Sequence, residues 1–331
     1  INCDRIPPLI NLFKSVNDLS KIFVGLVLLC SILSAGADVK VFVTNQGSNS
    51  VTVYSFDGKF ELLREVQVGK APAGVALSTV NREAYISNTE SSEISVIDVD
   101  SLEVKKTIDL NGSSLGVAVS PDGSRLFVSD WFNNCLLVIQ LNSHKRRCVE
   151  VGKAPAGISV SEKNDEIYVV SRDSNSVFVV SLSEEKVIGK IMVGDHPFGL
   201  KLLPVKNHLY VTNVQSNDVS IVDLTERKEI KRIKVGKKPY CITFSMNGEK
   251  SFVTNQYSDS ISIINTDLLL LEKTFASASF PEGIDTHGPF IIFVSWLDEE
   301  IVAIDERDQS VVSYASTGIN PRNFGDFIFV E

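Results

Sequence analysis

Phe42-Val43-Thr44-Asn45 and, 43 residues later, Tyr85-Ile86-Ser87-Asn88 share one pattern: an aromatic, a β-branched residue, a hydroxyl and an amide. The pattern returns as Phe127-Val128-Ser129-Asp130, Tyr168-Val169-Val170-Ser171, Tyr210-Val211-Thr212-Asn213 and Phe252-Val253-Thr254-Asn255, and the last unit aligns as Phe293-Val294-Ser295-Trp296. The leading aromatics stand 43, 42, 41, 42, 42 and 41 residues apart, and seven periods of 42 residues account for the 294 residues from Asp38 to Glu331. A fixed period of this length marks one supersecondary unit repeated in space.

A second landmark, a Pro-x-Gly-like step, recurs in the same rhythm. It reads Pro72-Ala73-Gly74, Pro155-Ala156-Gly157, Pro197-Phe198-Gly199, Pro239-Tyr240-Cys241, Pro281-Glu282-Gly283 and Pro321-Arg322-Asn323, with Ser114-Leu115-Gly116 in the irregular unit. Between the landmarks, runs such as Val51-Thr52-Val53 and Ile261-Ser262-Ile263 alternate apolar and polar, the period of a strand. Asp57-Gly58, Asp122-Gly123 and Asn247-Gly248 fall between strands, where a tight hairpin needs positive φ. No stretch after residue 37 sustains a helical period. Four short strands per unit, seven times over, predict an all-β, seven-bladed propeller with antiparallel blades. A sandwich has no reason for so regular a period.

These tetrapeptides and Pro-x-Gly steps resemble the YVTN-repeat (YncE-like) β-propeller family over the whole of residues 38–331. The resemblance implies that the Pro-x-Gly strand is innermost (A), followed outward by the tetrapeptide strand (B), a third strand (C) and an outer strand (D). The segment from Val39 to Gly69 then supplies B, C and D of one blade, and its inner strand must come from Asn323 to Val330. Such closure removes open sheet edges. The resemblance further implies a binding or interaction module rather than an enzyme.

Composition narrows the function. Hydrophobic residues make up 44% and charged residues 22%, which is globular, and the net charge is -9. No basic run exceeds Lys145-Arg146-Arg147, so general nucleic-acid binding is disfavoured. None of the five cysteines forms a Cys-x-x-Cys pair, and no two of the four histidines stand at ligand spacing, so no metal centre or cofactor is expected.

Ile22 to Leu33 is a short apolar run preceded by Lys21 and followed by Ser34-Ala35-Gly36-Ala37, the order of a cleavable secretory signal. The run is too short to span a bilayer, which takes about 20 apolar residues. Residues 1–37 are therefore expected to be an upstream extension and signal peptide cut after Ala37, with translation starting near Val16. The protein is expected to be exported, to the periplasm or the cell surface. Cys3 and Cys30 would leave with the signal. Cys135 and Cys148 would sit nearly opposite each other in one hairpin, at the places of Ser50 and Glu65 in the first unit, as candidates for a disulfide in an oxidising compartment. Cys241 is expected to be a buried small hydrophobe.

Strand direction sends the D-to-A and B-to-C loops to one face. Trp131, Trp296 and Tyr257 fall there, as do Phe198, Tyr240, Glu282 and Arg322 at the position after the loop proline, with His196, Lys237 and Lys238 beside them. Rings supply contact area and charges supply orientation, so this set is the candidate ligand or partner surface; packing between blades is the alternative for the rings. A lactonase-like hydrolase, with His196, Glu282 and Arg322 as base and oxyanion-stabilising groups, is the enzymatic alternative. A third is a propeller subunit of an amine-dehydrogenase-like complex. No catalytic motif of the nucleophile-elbow or phosphate-loop kind is present.

Overall fold

The computed structural model describes residues 38–331, so the signal segment with Cys3 and Cys30 lies outside the described residues. Seven antiparallel sheets follow one another along the chain. The B strands are Val39–Asn45, Glu83–Asn88, Arg125–Asp130, Glu166–Ser171, His208–Asn213, Lys250–Asn255 and Phe290–Ser295, and we number blades 1 to 7 in that order. Blades 2 to 7 place inside them the A strands Pro72–Ser78, Val117–Val119, Pro155–Ser161, Pro197–Leu203, Pro239–Phe244 and Pro281–His287. Each blade ends in an outer D strand with half or more of its residues exposed, as in Leu270–Ala276.

The alternation of the B strands is satisfied from both sides. Tyr85, Tyr168, Tyr210, Phe42, Phe127 and Phe252 are wholly buried, and burying each aromatic contributes about 1.5–3 kcal/mol. The hydroxyl of the tetrapeptide joins one blade to the next. Thr212 Oγ1 accepts from the Gly199 N–H at 3.0 Å and donates to the Tyr240 carbonyl, in the next blade, at 2.8 Å. Ser87 does the same between Gly74 and Leu115, at 2.8 and 2.7 Å. Thr254 reaches the Glu282 carbonyl at 2.7 Å. The close approach explains the glycine: a Cβ at Gly199 would collide with the Tyr240 carbonyl oxygen. The terminal amide ties B to C, as Asn213 Nδ2 donates to Asp218 and Ser220 at 2.9 and 2.8 Å.

Closure is as the repeat predicts. Ile328–Val330 pairs antiparallel with Val39–Val41 and supplies the inner strand of blade 1. The paired stretch is shorter than the expected Asn323–Val330, because Phe324–Gly325 first runs parallel to Pro72–Ser78 of blade 2. Asn323 fills the gap with its side chain: Oδ1 accepts from the Thr44 N–H at 2.6 Å and Nδ2 donates to the Phe42 carbonyl at 3.1 Å. Phe327 and Phe329 are buried behind it.

Two details of the sequence reading need correction. In the first six blades the amide-position residue begins the pairing with strand C, as Asn255 does with Ser260; in blade 7 Ser295 pairs with Glu300. The last tetrapeptide is thus Ile292-Phe293-Val294-Ser295, one residue earlier than the aromatic at Phe293 suggests, and Trp296 is the first loop residue. The second concerns Cys135, which faces Glu150, while Cys148 faces Leu137. The two cysteines are diagonal rather than opposite, and with Cα atoms 5.6 Å apart their sulfurs are bonded. At the same place in blade 1, Ser50 donates to Glu65 at 2.7 Å. The glycines of the three hairpin pairs, Gly58, Gly123 and Gly248, have φ of 96°, 68° and 71°, as those turns require.

Candidate functional site

The frame of the site is backbone. In six D-to-A loops the residue before the repeated Pro-x-Gly-like step, Ala71, Ala154, His196, Lys238, Phe280 or Asn320, holds a left-handed φ of 50–55°. In the first five of these its N–H donates to an Asn or Asp that closes the B-to-C loop of the preceding blade, at 2.8–3.1 Å. In all six its carbonyl accepts from the first residue after strand B, at 3.0–3.1 Å. Each loop is thereby clamped between two blades, which offsets the cost of the left-handed residue. Two rings result. One is the first residue after each B strand: Gln46, Thr89, Trp131, Arg172, Val214, Gln256 and Trp296. The other follows the loop proline: Ala73, Leu115, Ala156, Phe198, Tyr240, Glu282 and Arg322.

From blade 4 round to blade 1 the two rings carry large side chains and enclose a cavity of about 320 Å³ at the channel mouth. Four polar groups interlock within it. Arg322 Nε and Nη2 donate to the Tyr240 hydroxyl at 3.0 and 2.8 Å, and Nε lies 3.4 Å from Glu282 Oε2. Gln256 Nε2 donates to Glu282 Oε1 at 3.0 Å. Glu282 is only 4% exposed, and its Oε2 has no hydrogen-bond donor among the described residues. Rings surround this group. Phe198 and Tyr240 stack at 4.7 Å with Phe324 against both, and Tyr257, Phe280 and Trp296 form a second row with centroids 5.4 and 5.5 Å apart.

Burial pushes the Glu282 carboxyl up to about 7, against the opposing pull of Arg322 and the Gln256 hydrogen bond. Burial also raises the Tyr240 hydroxyl, with Arg322 opposing it and Glu282 adding to it. For Arg322 burial works against the charge, but Tyr240 and Glu282 outweigh it and the guanidinium stays protonated. The site therefore holds a carboxyl whose charged form burial disfavours, beside a cation that Tyr240 and Glu282 sustain. Among the described residues no three His, Cys, Asp or Glu side chains stand close enough to share a metal ion.

Of the residues singled out in the sequence, Trp296, Phe198, Tyr240, Tyr257, Glu282 and Arg322 line this one cavity. Trp131 adjoins it, 6.3 Å from Phe198 and with the Arg172 guanidinium 5.7 Å from its ring. His196, Lys238 and Lys237 are not among its lining. His196 Nε2 lies 3.8 Å from Asp173, and Lys238 Nζ donates to Gln215 at 2.7 Å. Lys237 borders a separate groove of about 650 Å³ between the outer strands of blades 5 and 6. Phe198 and Tyr240 combine both readings of the rings, since they pack in the core and also line the cavity. Sequence reasoning missed Gln46, Arg172, Val214, Gln256 and Phe280. The first four share the repeat phase of Trp131, and the one-residue misalignment of the last blade hid that Trp296 shares it too.

The opposite mouth is less bland than its turn residues suggest. Lys201 pairs with Asp326 and lies 3.8 Å from Asp285, beside a second cavity of about 320 Å³. Burial raises the Asp285 carboxyl, with Lys201 opposing. Between the mouths a void of about 40 Å³ is lined by Gly116, Gly157, Gly199, Cys241 and Phe324.

Residues 28–161 match the YNCE-like beta-propeller family. The YNCE-like match ends with the inner strand of blade 4, and the pairing described above carries the same unit through blade 7. No curated protein sequence is significantly similar to the chain. Among solved structures, a hydrazine synthase from Kuenenia stuttgartiensis superposes with a TM-score of 0.73 at 17% identity, covering 81% of this chain and 92% of that one. A functionally unknown protein from Desulfotomaculum acetoxidans DSM 771 gives 0.75 at 16% identity, covering 88% and 98%. Dihydro-heme d1 dehydrogenase NirN, solved in complex with DHE, gives 0.64 at 15%, covering 88% and 75%. At these identities the likeness is one of fold alone, and it includes enzymes and enzyme subunits.

Proposed function

We propose that the protein is an exported, non-enzymatic binding scaffold that holds a small ligand in the aromatic-walled cavity at the channel mouth. The observation that carries this reading is the buried Glu282–Arg322 pair. The propeller needs only the backbone at the position after the loop proline, because the inter-blade hydrogen bond uses that residue's carbonyl. Ala73, Leu115 and Ala156 serve that purpose with apolar side chains. Burying a carboxylate and a guanidinium where alanine suffices costs desolvation free energy that packing does not recover, so the pair answers to something other than folding. Aromatic walls with a few convergent polar groups are the composition of a small-molecule site.

The test is a pair of variants, Arg322→Met and Glu282→Gln, screened by native mass spectrometry for co-purifying or added ligands. Both are expected to fold and to lose ligand; undiminished capture by both would refute the reading.

One observation favours a second reading, a lactonase-like hydrolase: a carboxyl raised to about 7 beside an arginine is a general base matched to neutral pH. In that case Glu282 would activate water and Arg322 would stabilise the developing oxyanion. Lactone hydrolysis by the purified protein, rising with pH through 7 and abolished in Glu282→Gln, would favour the hydrolase over the scaffold.

A further inference from the structure

We infer that the ligand of this cavity is a neutral ring rich in hydroxyl groups, the chemistry of a saccharide. The inference rests on the binding reading above and adds the class of ligand.

The first argument is charge. The charged side chains that line the cavity are Arg172, Glu282 and Arg322. Glu282 and Arg322 face each other at 3.4 Å, and Arg172 Nη1 bonds Asp173 at 2.8 Å. A free carboxylate or phosphate would need an uncompensated cation, and an ammonium group an uncompensated carboxylate. The cavity offers neither.

The second argument is hydrogen bonding. Arg322, Glu282, Gln256 and Gln46 are planar side chains, each presenting two or more donor or acceptor positions in one plane. Vicinal hydroxyls, each a donor and an acceptor about one side-chain fork apart, match that geometry. Glu282 Oε2, which lacks any donor among the described residues, is where a ligand hydroxyl would be most strongly held.

The third argument is the walls. Tyr257 is 64% exposed, and its ring continues into Phe280 and Trp296. The negative face of an aromatic ring attracts the weakly positive C–H face of a sugar ring. A purely apolar ligand would use these rings but would leave the buried Glu282 Oε2 desolvated and without a donor, at about 1–3 kcal/mol. A cavity of about 320 Å³ stands at the lower end of the roughly 300–1,000 Å³ found for small-ligand sites, which suits one or two such rings.

The experiment uses the two tryptophans of the protein, Trp131 and Trp296, as the reporter, since both stand at this mouth. The purified protein is titrated with a panel of neutral mono- and disaccharides, with benzoate and choline as charged probes and with acrylamide as a collisional quencher. Saturable fluorescence changes are expected with saccharides alone, weakened about tenfold or more in Tyr257→Ala, whose exposed ring is not needed for folding, and in Glu282→Gln. Preference for benzoate or choline would overturn the saccharide class and leave the binding reading standing. Failure of every probe while acrylamide still quenches Trp296 would also overturn the class alone. Failure of every probe with Trp296 shielded from acrylamide would show a closed mouth and overturn both.

Discussion

Glu282→Gln should abolish a specific part of the protein's pH dependence. The folded state raises the Glu282 carboxyl to about 7 from an ordinary value of 4.5, chiefly because burial disfavours the charged form. Between those two pH values the folded protein holds a proton that the unfolded chain has released, so stability falls as pH rises through the window. It is fully present below about 4.5 and fully lost above about 7. At about 1.4 kcal/mol per pH unit the loss is about 3 kcal/mol. For a domain of this size 1 kcal/mol moves Tm by about 2 °C, so the loss corresponds to about 6 °C. Glutamine keeps the shape and carries no titrating proton. Its absolute effect mixes a lost charge with an Arg322 left without its counter-ion, so the informative quantity is the difference between wild type and variant, followed from pH 4 to pH 8.5 by urea unfolding. Other groups with shifted titration, Asp285, His208 and His287 among them, cancel in that difference. Relative to the variant, the wild type should lose about 3 kcal/mol across the range. Parallel pH profiles, separated by a constant within 0.5 kcal/mol, would show that Glu282 does not titrate there and that the cavity floor is wetter than its burial implies.

Removing Phe324–Glu331 deletes the strand that pairs with Val39–Val41 and exposes the edge of blade 1; scanning calorimetry should show loss of the cooperative transition, and an unchanged Tm would refute the closure. Thr212→Val leaves the Gly199 N–H and the Tyr240 carbonyl without their partner, which should cost about 1–3 kcal/mol, read as a lower urea midpoint at unchanged slope. The ring tolerates missing links, since Val170 and Val294 already stand at that position in blades 4 and 7. Cys135→Ser opens the link across a separation of 13 residues and should cost up to about 3 kcal/mol; equal urea midpoints for variant and wild type, with and without reductant, would show that the bond adds no stability.

The fold was legible because most units repeat the residues their backbone needs. The aromatic is buried between blades, the hydroxyl links neighbours, the amide ties two strands, and the glycine lets the next blade's carbonyl approach. Where one of these is replaced the reading slips. The seventh unit has Ile292 where an aromatic is expected, and the neighbouring Phe293 shifts the apparent register by one residue. Alternation could not resist this, because Ile291, Ile292, Phe293 and Val294 are all apolar and all buried. The disulfide was legible as a hairpin pairing but not as a diagonal, since strand twist rather than residue count sets which cross-strand neighbours approach.

The cavity was legible in part for a different reason. In a ring of blades, residues about 42 positions apart in sequence become spatial neighbours, so a site is written as departures from the repeat at one phase. Reading the position after the loop proline around the ring gave Phe198, Tyr240, Glu282 and Arg322, and these do converge. His196, Lys237 and Lys238 share the chemistry of a site and its nearness in sequence but not the phase of these four residues. His196 and Lys238 occupy the left-handed position whose N–H and carbonyl clamp the loop, and their side chains are held by Asp173 and Gln215 instead. Phe280 stands at that same position and does reach the cavity, so phase settles where the backbone passes and side-chain length and partners settle the rest. At the position after the loop proline, blades 5 to 1 depart from the repeat with Phe198, Tyr240, Glu282 and Arg322, while blades 2 to 4 keep Ala73, Leu115 and Ala156. An asymmetric patch on a near-symmetric wheel cannot arise from the needs of the repeat, which are the same in every blade.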